Sequence, residues 1–237
     1  MIMKKAILAS TSTLYGQAYL EYLIPHLNDL YGSKKEVLFI PYARPGGISH
    51  DEYTAKAKDA FKKANLEIRG IHEYENTVEA VEKAEGIFTG GGNTFLLVSE
   101  LYRKGIVEVL QNVIATGTPY MGTSAGTNIG GLTMGTTNDM PIILPKSFKT
   151  LGLVPFNINP HYLDPDTNST HKGETRETRI KEFHHFNSQP VVGLREGSWL
   201  ALENNEVILK GELSAKIFKC NKEAYEVETG TILTDLN

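Results

Sequence analysis

Pro119-Tyr120-Met121-Gly122-Thr123-Ser124-Ala125-Gly126 carries a short apolar run into a serine flanked by small residues and glycines. Just upstream, Ile106, Val109, Leu110, Val113 and Ile114 share one helical face, and Gly117 ends that helix. Helix, buried strand and glycine-rich turn follow one another, as they do in a parallel sheet with helical crossovers. One unit earlier, Gly86-Ile87-Phe88-Thr89 reads as a strand and runs directly into Gly90-Gly91-Gly92-Asn93-Thr94. Further upstream, residues 6–9, 37–40 and 67–71 read as strands. Helical stretches lie at 15–30, after Ser49, which can cap, and around Val78 and Val81. The alternation predicts an α/β fold: three layers around a mostly parallel, doubly wound sheet.

The last third changes character. Residues 191–194, 199–202, 207–210, 216–218 and 225–227 are short strands at hairpin spacing, with Asn204-Asn205 as a tight turn. They are expected to form an antiparallel C-terminal extension of the same sheet. No Pro/Ser-rich linker or internal repeat divides the chain, so a single domain over 1–237 is expected.

Composition narrows the function classes. With 237 residues, 41% hydrophobic and 22% charged, the chain is globular rather than disordered. A net charge of −4 leaves no basic footprint for nucleic acid or an anionic membrane. The single cysteine, Cys220, excludes an intrachain disulfide framework and a cysteine-rich zinc site. The apolar run at 6–9 is too short for a secretory signal, and no run approaches the roughly 20 residues of a membrane span. A cytoplasmic location is expected, and the sequon Asn168-Ser169-Thr170 carries no information without export. Of the 22 glycines, ten fall between Gly90 and Gly135, around the two strand-to-helix turns.

Those two turns carry the candidate chemistry. Gly122-Thr123-Ser124-Ala125-Gly126 has the form of a nucleophile elbow, in which small neighbours let a strained turn expose a serine hydroxyl. The Ala125 amide would then face a developing oxyanion, with the Gly92 amide as second donor. In a parallel sheet both turns emerge on the same edge, where ligands bind. A phosphate loop fits poorly, since neither a third spaced glycine nor Gly-Lys-Ser/Thr occurs. The serine needs a base, and His161 in Asn159-Pro160-His161-Tyr162 is the candidate, with Pro160 restricting its backbone. Asp139, Asp164 and Glu196 could each orient that imidazole, and the residues alone do not rank them. His184-His185 is a poor metal pair, because adjacent helical residues point about 100° apart. No metal and no cofactor is expected.

Taken together, Gly90-Gly91-Gly92-Asn93-Thr94-Phe95, Ser124-Ala125-Gly126, Thr136-Thr137-Asn138-Asp139-Met140-Pro141-Ile142, Asn159-Pro160-His161, Gly173-Glu174-Thr175-Arg176 and Leu194-Arg195-Glu196-Gly197 resemble the peptidase E family. These are cytosolic serine-type aspartyl dipeptidases, and the segments run in family order over 90–197. The resemblance implies a flavodoxin-like, class I glutamine amidotransferase-like sheet. It also implies a Ser–His–Glu triad of Ser124, His161 and Glu196 that works through an acyl-enzyme. Asp139 and Asn93 would support the substrate, Asp139 near its amine. Arg176 would grip the side-chain carboxylate of an N-terminal aspartate, a task suited to guanidinium geometry, with Lys172 and Arg179 as alternative anion partners. The implied partners are small peptides with N-terminal Asp, and either a monomer or a homodimer is compatible. Two rivals remain: a cyanophycinase-like serine hydrolase, and a non-catalytic metabolite-binding protein on the same fold.

Overall fold

The computed structural model describes residues 4–165, 173–203 and 205–236. Five parallel strands make up one side of the larger sheet: β1 (Ala6–Ala9), β2 (Glu36–Ile40), β3 (Glu67–Gly70), β4 (Ile87–Thr89) and β5 (Tyr120–Thr123). Buried apolar runs such as Ala6-Ile7-Leu8-Ala9 suit strands covered on both faces. The coverage follows the period of two along each strand. Val37 and Phe39 pack with Phe88 and Met121 against α1 (Ile24–Tyr31) and α2 (His50–Lys62). Leu38 and Ile40 face the other way, with Ile87 and Tyr120, onto α3 (Thr77–Glu82), α4 (Thr94–Arg103) and α5 (Val107–Ala115). The three-layer, doubly wound reading is what the fold shows. Ser49 caps α2 through a capping box with Glu52.

The expected antiparallel extension divides in two. β8 (Ser198–Glu203) pairs with β1 and β9 (Glu206–Gly211) with β8, giving the order β3-β2-β4-β5-β1-β8-β9. The other late strands leave this sheet and build a second one. There β7 (Val191–Leu194) lies between β10 (Ala215–Phe218) and β6 (Asn157–Pro160), and β11 (Tyr225–Val227) lies outside β10. The physical reason is β6, which pairs parallel to β7 and gives it a partner away from the large sheet. No strand is expected at Asn-Ile-Asn-Pro, yet all four of its residues are buried. Asn157 bonds Thr133 through both ends of its amide, and Asn159 Nδ2 donates to Thr136 O and Asn138 Oδ1, while Asn159 Oδ1 has no partner among the described residues.

An apolar cluster runs through both sheets, joining Leu8 and Leu200 of the larger to Ile158, Val192, Leu194 and Ile217 of the smaller. α6 (Ala125–Asn128) follows β5, and α7 (Arg176–Phe183) precedes β7. Asn205 has φ 66°, as a tight β8–β9 turn requires, while Asn204, Lys172 and the sequon 168–170 lie outside the described residues. Among the described residues, no helix is long and apolar enough to cross a membrane.

Candidate active site

The chain turns sharply at Ser124, between the end of β5 and the start of α6. Its backbone is at φ 54°, ψ −111°, a conformation that L-residues rarely adopt. Neighbouring bonds hold it there. Ser124 N–H donates to Ala9 O at 3.1 Å, and Asn128 N–H donates to Ser124 O at 2.9 Å. Thr127 Oγ1, fully buried, reaches both Ala9 O and Gly122 O. Gly126 is required by contact, since a Cβ there would lie 2.2 Å from Thr89 O.

His161 arrives from the other sheet. It follows β6 directly and is itself at φ 54°. Its backbone N–H donates to Ser10 Oγ at 2.8 Å, and Ser10 Oγ donates to Leu194 O at 2.7 Å. Ser10 follows β1 and is fully buried, so one hydroxyl ties the larger sheet to the His161 turn and to β7. β6 and β7 run parallel with Asn159 opposite Gly193 and Pro160 opposite Leu194. Residues just beyond the two strands therefore emerge side by side, which sets Glu196 beside His161.

The imidazole bridges the two. Nδ1 lies 2.5 Å from Glu196 Oε1, and Nε2 lies 2.9 Å from Ser124 Oγ. An ionised carboxylate only accepts, so Nδ1 carries the proton and Nε2 offers its lone pair to the serine hydroxyl. This arrangement can deprotonate a serine as it attacks. Of the three carboxylates left open by the residues alone, Glu196 is the one on His161. Asp164 instead pairs with Arg195, 2.7 Å away. Asp139 Oδ2 accepts from Thr94 N–H and Thr94 Oγ1 at 2.7 Å and from Thr137 Oγ1 at 3.0 Å.

Gly92, Asn93 and Ala125 lie beyond the ends of the neighbouring parallel strands β4 and β5, on the same edge of the sheet. Gly92 sits at φ 145°, where a Cβ would come within 2.2 Å of Ala43 O. Among the described residues, neither the Gly92 amide nor the Ala125 amide has a protein acceptor. Asn93 caps α4 through Oδ1, which accepts from Leu96 N–H, while its Nδ2 donates to Met140 O at 2.9 Å. Both polar ends of Asn93 thus hold the turn together. Arg176 is the first residue of α7, and burial lowers its pKa, with Arg179 adding to that shift and Asp139 opposing it. Arg176 makes no ion pair among the described residues, whereas Arg179 pairs with Glu174 and Arg195 with Asp164 and Glu226.

Sequence reasoning missed Ser10, Tyr53 and the lacing of 136–139 onto β6. Thr136 Oγ1 donates to Ile158 O, and Asn138 Nδ2 donates to Pro160 O. A serine directly after the first buried strand was the available signal for Ser10. Tyr53 carries none, because its spacing reads as an ordinary core position. Among the described residues, no cluster of three His, Cys, Asp or Glu side chains could hold a metal ion.

Comparison with known proteins gives the family. Residues 6–210 match peptidase family S51. Peptidase E of Streptomyces coelicolor is 46% identical over 230 residues, covering 97% of this chain and 93% of its own. A Drosophila melanogaster protein named "Probable alpha-aspartyl dipeptidase" is 43% identical over 236 residues, covering 98% and 97%. A solved peptidase from an acI-B1 actinobacterium superposes with a TM-score of 0.71 over 98% of this chain and 97% of that one. At 16% identity it speaks for the fold alone. On a family match that spans most of its length and relatives alike from end to end, the chain belongs to peptidase family S51 and is a serine-type peptidase.

Proposed function

We propose that this peptidase is a dipeptidase that hydrolyses the bond after an N-terminal aspartate, with Ser124, His161 and Glu196 as its catalytic triad. The observation that carries the reading is the continuous hydrogen-bond chain from Glu196 through His161 to Ser124, at 2.5 and 2.9 Å. In the first half-reaction, Ser124 Oγ attacks the aspartyl carbonyl carbon as His161 Nε2 takes the hydroxyl proton. The Gly92 and Ala125 amides receive the oxyanion, a task in which one donor is worth about 10²–10³ in turnover. His161 then gives its proton to the leaving amine, and the acyl-enzyme remains. Water attacks the ester with His161 again as base, releasing aspartate and restoring Ser124.

Arg176 is the specificity element in this reading. A partly desolvated guanidinium without an ion pair among the described residues favours a carboxylate over a neutral amide, which would leave it unpaired. Asp139, held near Arg176 and at the start of α4, supports the substrate amine, and Asn93 keeps that wall in place. The test is a panel of Asp-Leu, Glu-Leu, Asn-Leu and Ala-Leu with wild type and Ser124→Ala. Hydrolysis of Asp-Leu at least a hundredfold above Asn-Leu, lost in Ser124→Ala, is expected. Equal hydrolysis of Asp-Leu and Asn-Leu would remove the role of Arg176, and turnover by Ser124→Ala would remove the serine mechanism.

A further inference from the structure

The turn Gly90-Gly91-Gly92 is held from behind by one phenol. Tyr53, on α2, is 1% exposed, and its hydroxyl accepts from Gly91 N–H at 2.9 Å and donates to Gly91 O at 3.3 Å. The hydroxyl of buried Tyr19 donates to it at 3.4 Å. One donor and two lone pairs are thereby all used. On its other side the turn meets the serine. A Cβ on Gly91 would lie 2.9 Å from Ser124 Cβ, whereas a Cβ on Gly90 would lie 2.5 Å from the Tyr53 hydroxyl. The glycine backbone is thus a single layer between Tyr53 and Ser124.

Gly91 C=O and Gly92 N–H belong to one peptide unit. In a trans peptide they point in opposite directions, and the described residues contain no cis bond. Holding the carbonyl toward Tyr53 therefore turns the Gly92 N–H toward the face where Ser124 lies. Two glycines offer little resistance of their own to a half-turn of that peptide, which would replace the donor by a carbonyl oxygen. We infer that Tyr53 is a positioning residue that latches the Gly91–Gly92 peptide and keeps the Gly92 N–H presented to the oxyanion. The inference rests on the oxyanion role proposed above for Gly92.

The test compares Tyr53→Phe with Tyr19→Phe, which leaves both Gly91 bonds in place. For Tyr53→Phe, kcat on Asp-Leu is expected to fall about ten- to a hundredfold with KM within about threefold, below the full loss of one donor. Affinity for an aspartyl aldehyde, which forms a tetrahedral adduct on Ser124, should fall in parallel, while affinity for free aspartate stays unchanged. Tyr19→Phe should remain within about twofold of wild type in kcat. A Tyr53→Phe kcat within twofold of wild type, or an equal loss in Tyr19→Phe, overturns the latch. Should Tyr53→Phe unfold early, the ratio of aldehyde to aspartate affinity is measured below its melting range, and an unchanged ratio also overturns it. Failure of the underlying reading would look different, because Ser124→Ala would retain turnover or wild type would form no aldehyde adduct.

Discussion

Ser124 sits at φ 54° although it is not glycine, and its surroundings hold it there. A residue in such a conformation stores about 1–3 kcal/mol, maintained because neighbouring bonds over-determine it. Replacing its side chain separates chemistry from strain. Ser124→Ala keeps a Cβ on the strained backbone, whereas Ser124→Gly releases it and pays only some unfolded-state entropy. Urea unfolding should therefore find Ser124→Gly more stable than Ser124→Ala by about 1 kcal/mol, with both variants inactive. The elbow was legible in the sequence because its geometry admits so few residue types around the serine. Asn93 and Asp139 were legible only as members of a motif. That both are spent on the start of α4 depends on residues far away in the chain, such as Met140 meeting Asn93.

Elements, rather than single residues, explain how base and acid meet. The pairing of β6 with β7 delivers His161 and Glu196 to one edge, and this register was invisible in the sequence. Asn-Ile-Asn-Pro alternates in polarity over only four residues, with asparagines that favour turns and a proline that cannot donate to a ladder. Its burial is possible because partners from 133–138, which belong to another segment, take the side-chain N–H donors of both asparagines. The parallel half of the large sheet was readable for the opposite reason, since each of its strands carries its own apolar signal. Helix α4 escaped notice because the glycine run before it reads as a turn, although Asn93 is itself a capping residue. Ser10 belongs to this scale, as the joint between β1, the His161 turn and β7. Ser10→Ala leaves the His161 amide without its acceptor in a buried place, which costs about 1–3 kcal/mol. The loss should appear in urea unfolding together with a lower kcat for Asp-Leu, since the imidazole backbone loses its tether.

At the scale of the whole molecule, the smaller sheet is held partly by charge. Arg195, beside Glu196, bonds Asp164, Glu226 and Ser214 and lies 5.6 Å over the Tyr162 ring. Hydrogen bonding to Arg195 lowers the Glu226 carboxyl below its ordinary value of 4.5, against a smaller opposing effect of burial. A group with a lowered folded pKa stabilises above its unfolded value and loses that contribution as pH falls through the folded one. Arg195→Gln should therefore reduce stability by about 1–2 kcal/mol at pH 7, a figure discounted because both carboxylates are nearly half exposed. Unfolding measured across pH should show the difference between wild type and variant narrowing below about pH 4.5.

The joint made by Ser10 has a consequence for biosynthesis. Its hydroxyl comes from the first strand, the serine of the elbow from the middle of the chain, and the imidazole and carboxylate from beyond it. Under the proposed chemistry, a chain still emerging from the ribosome carries at Ser124 only an ordinary alcohol. Hydrolytic power waits until the chain has been made through Glu196 and the two sheets have met.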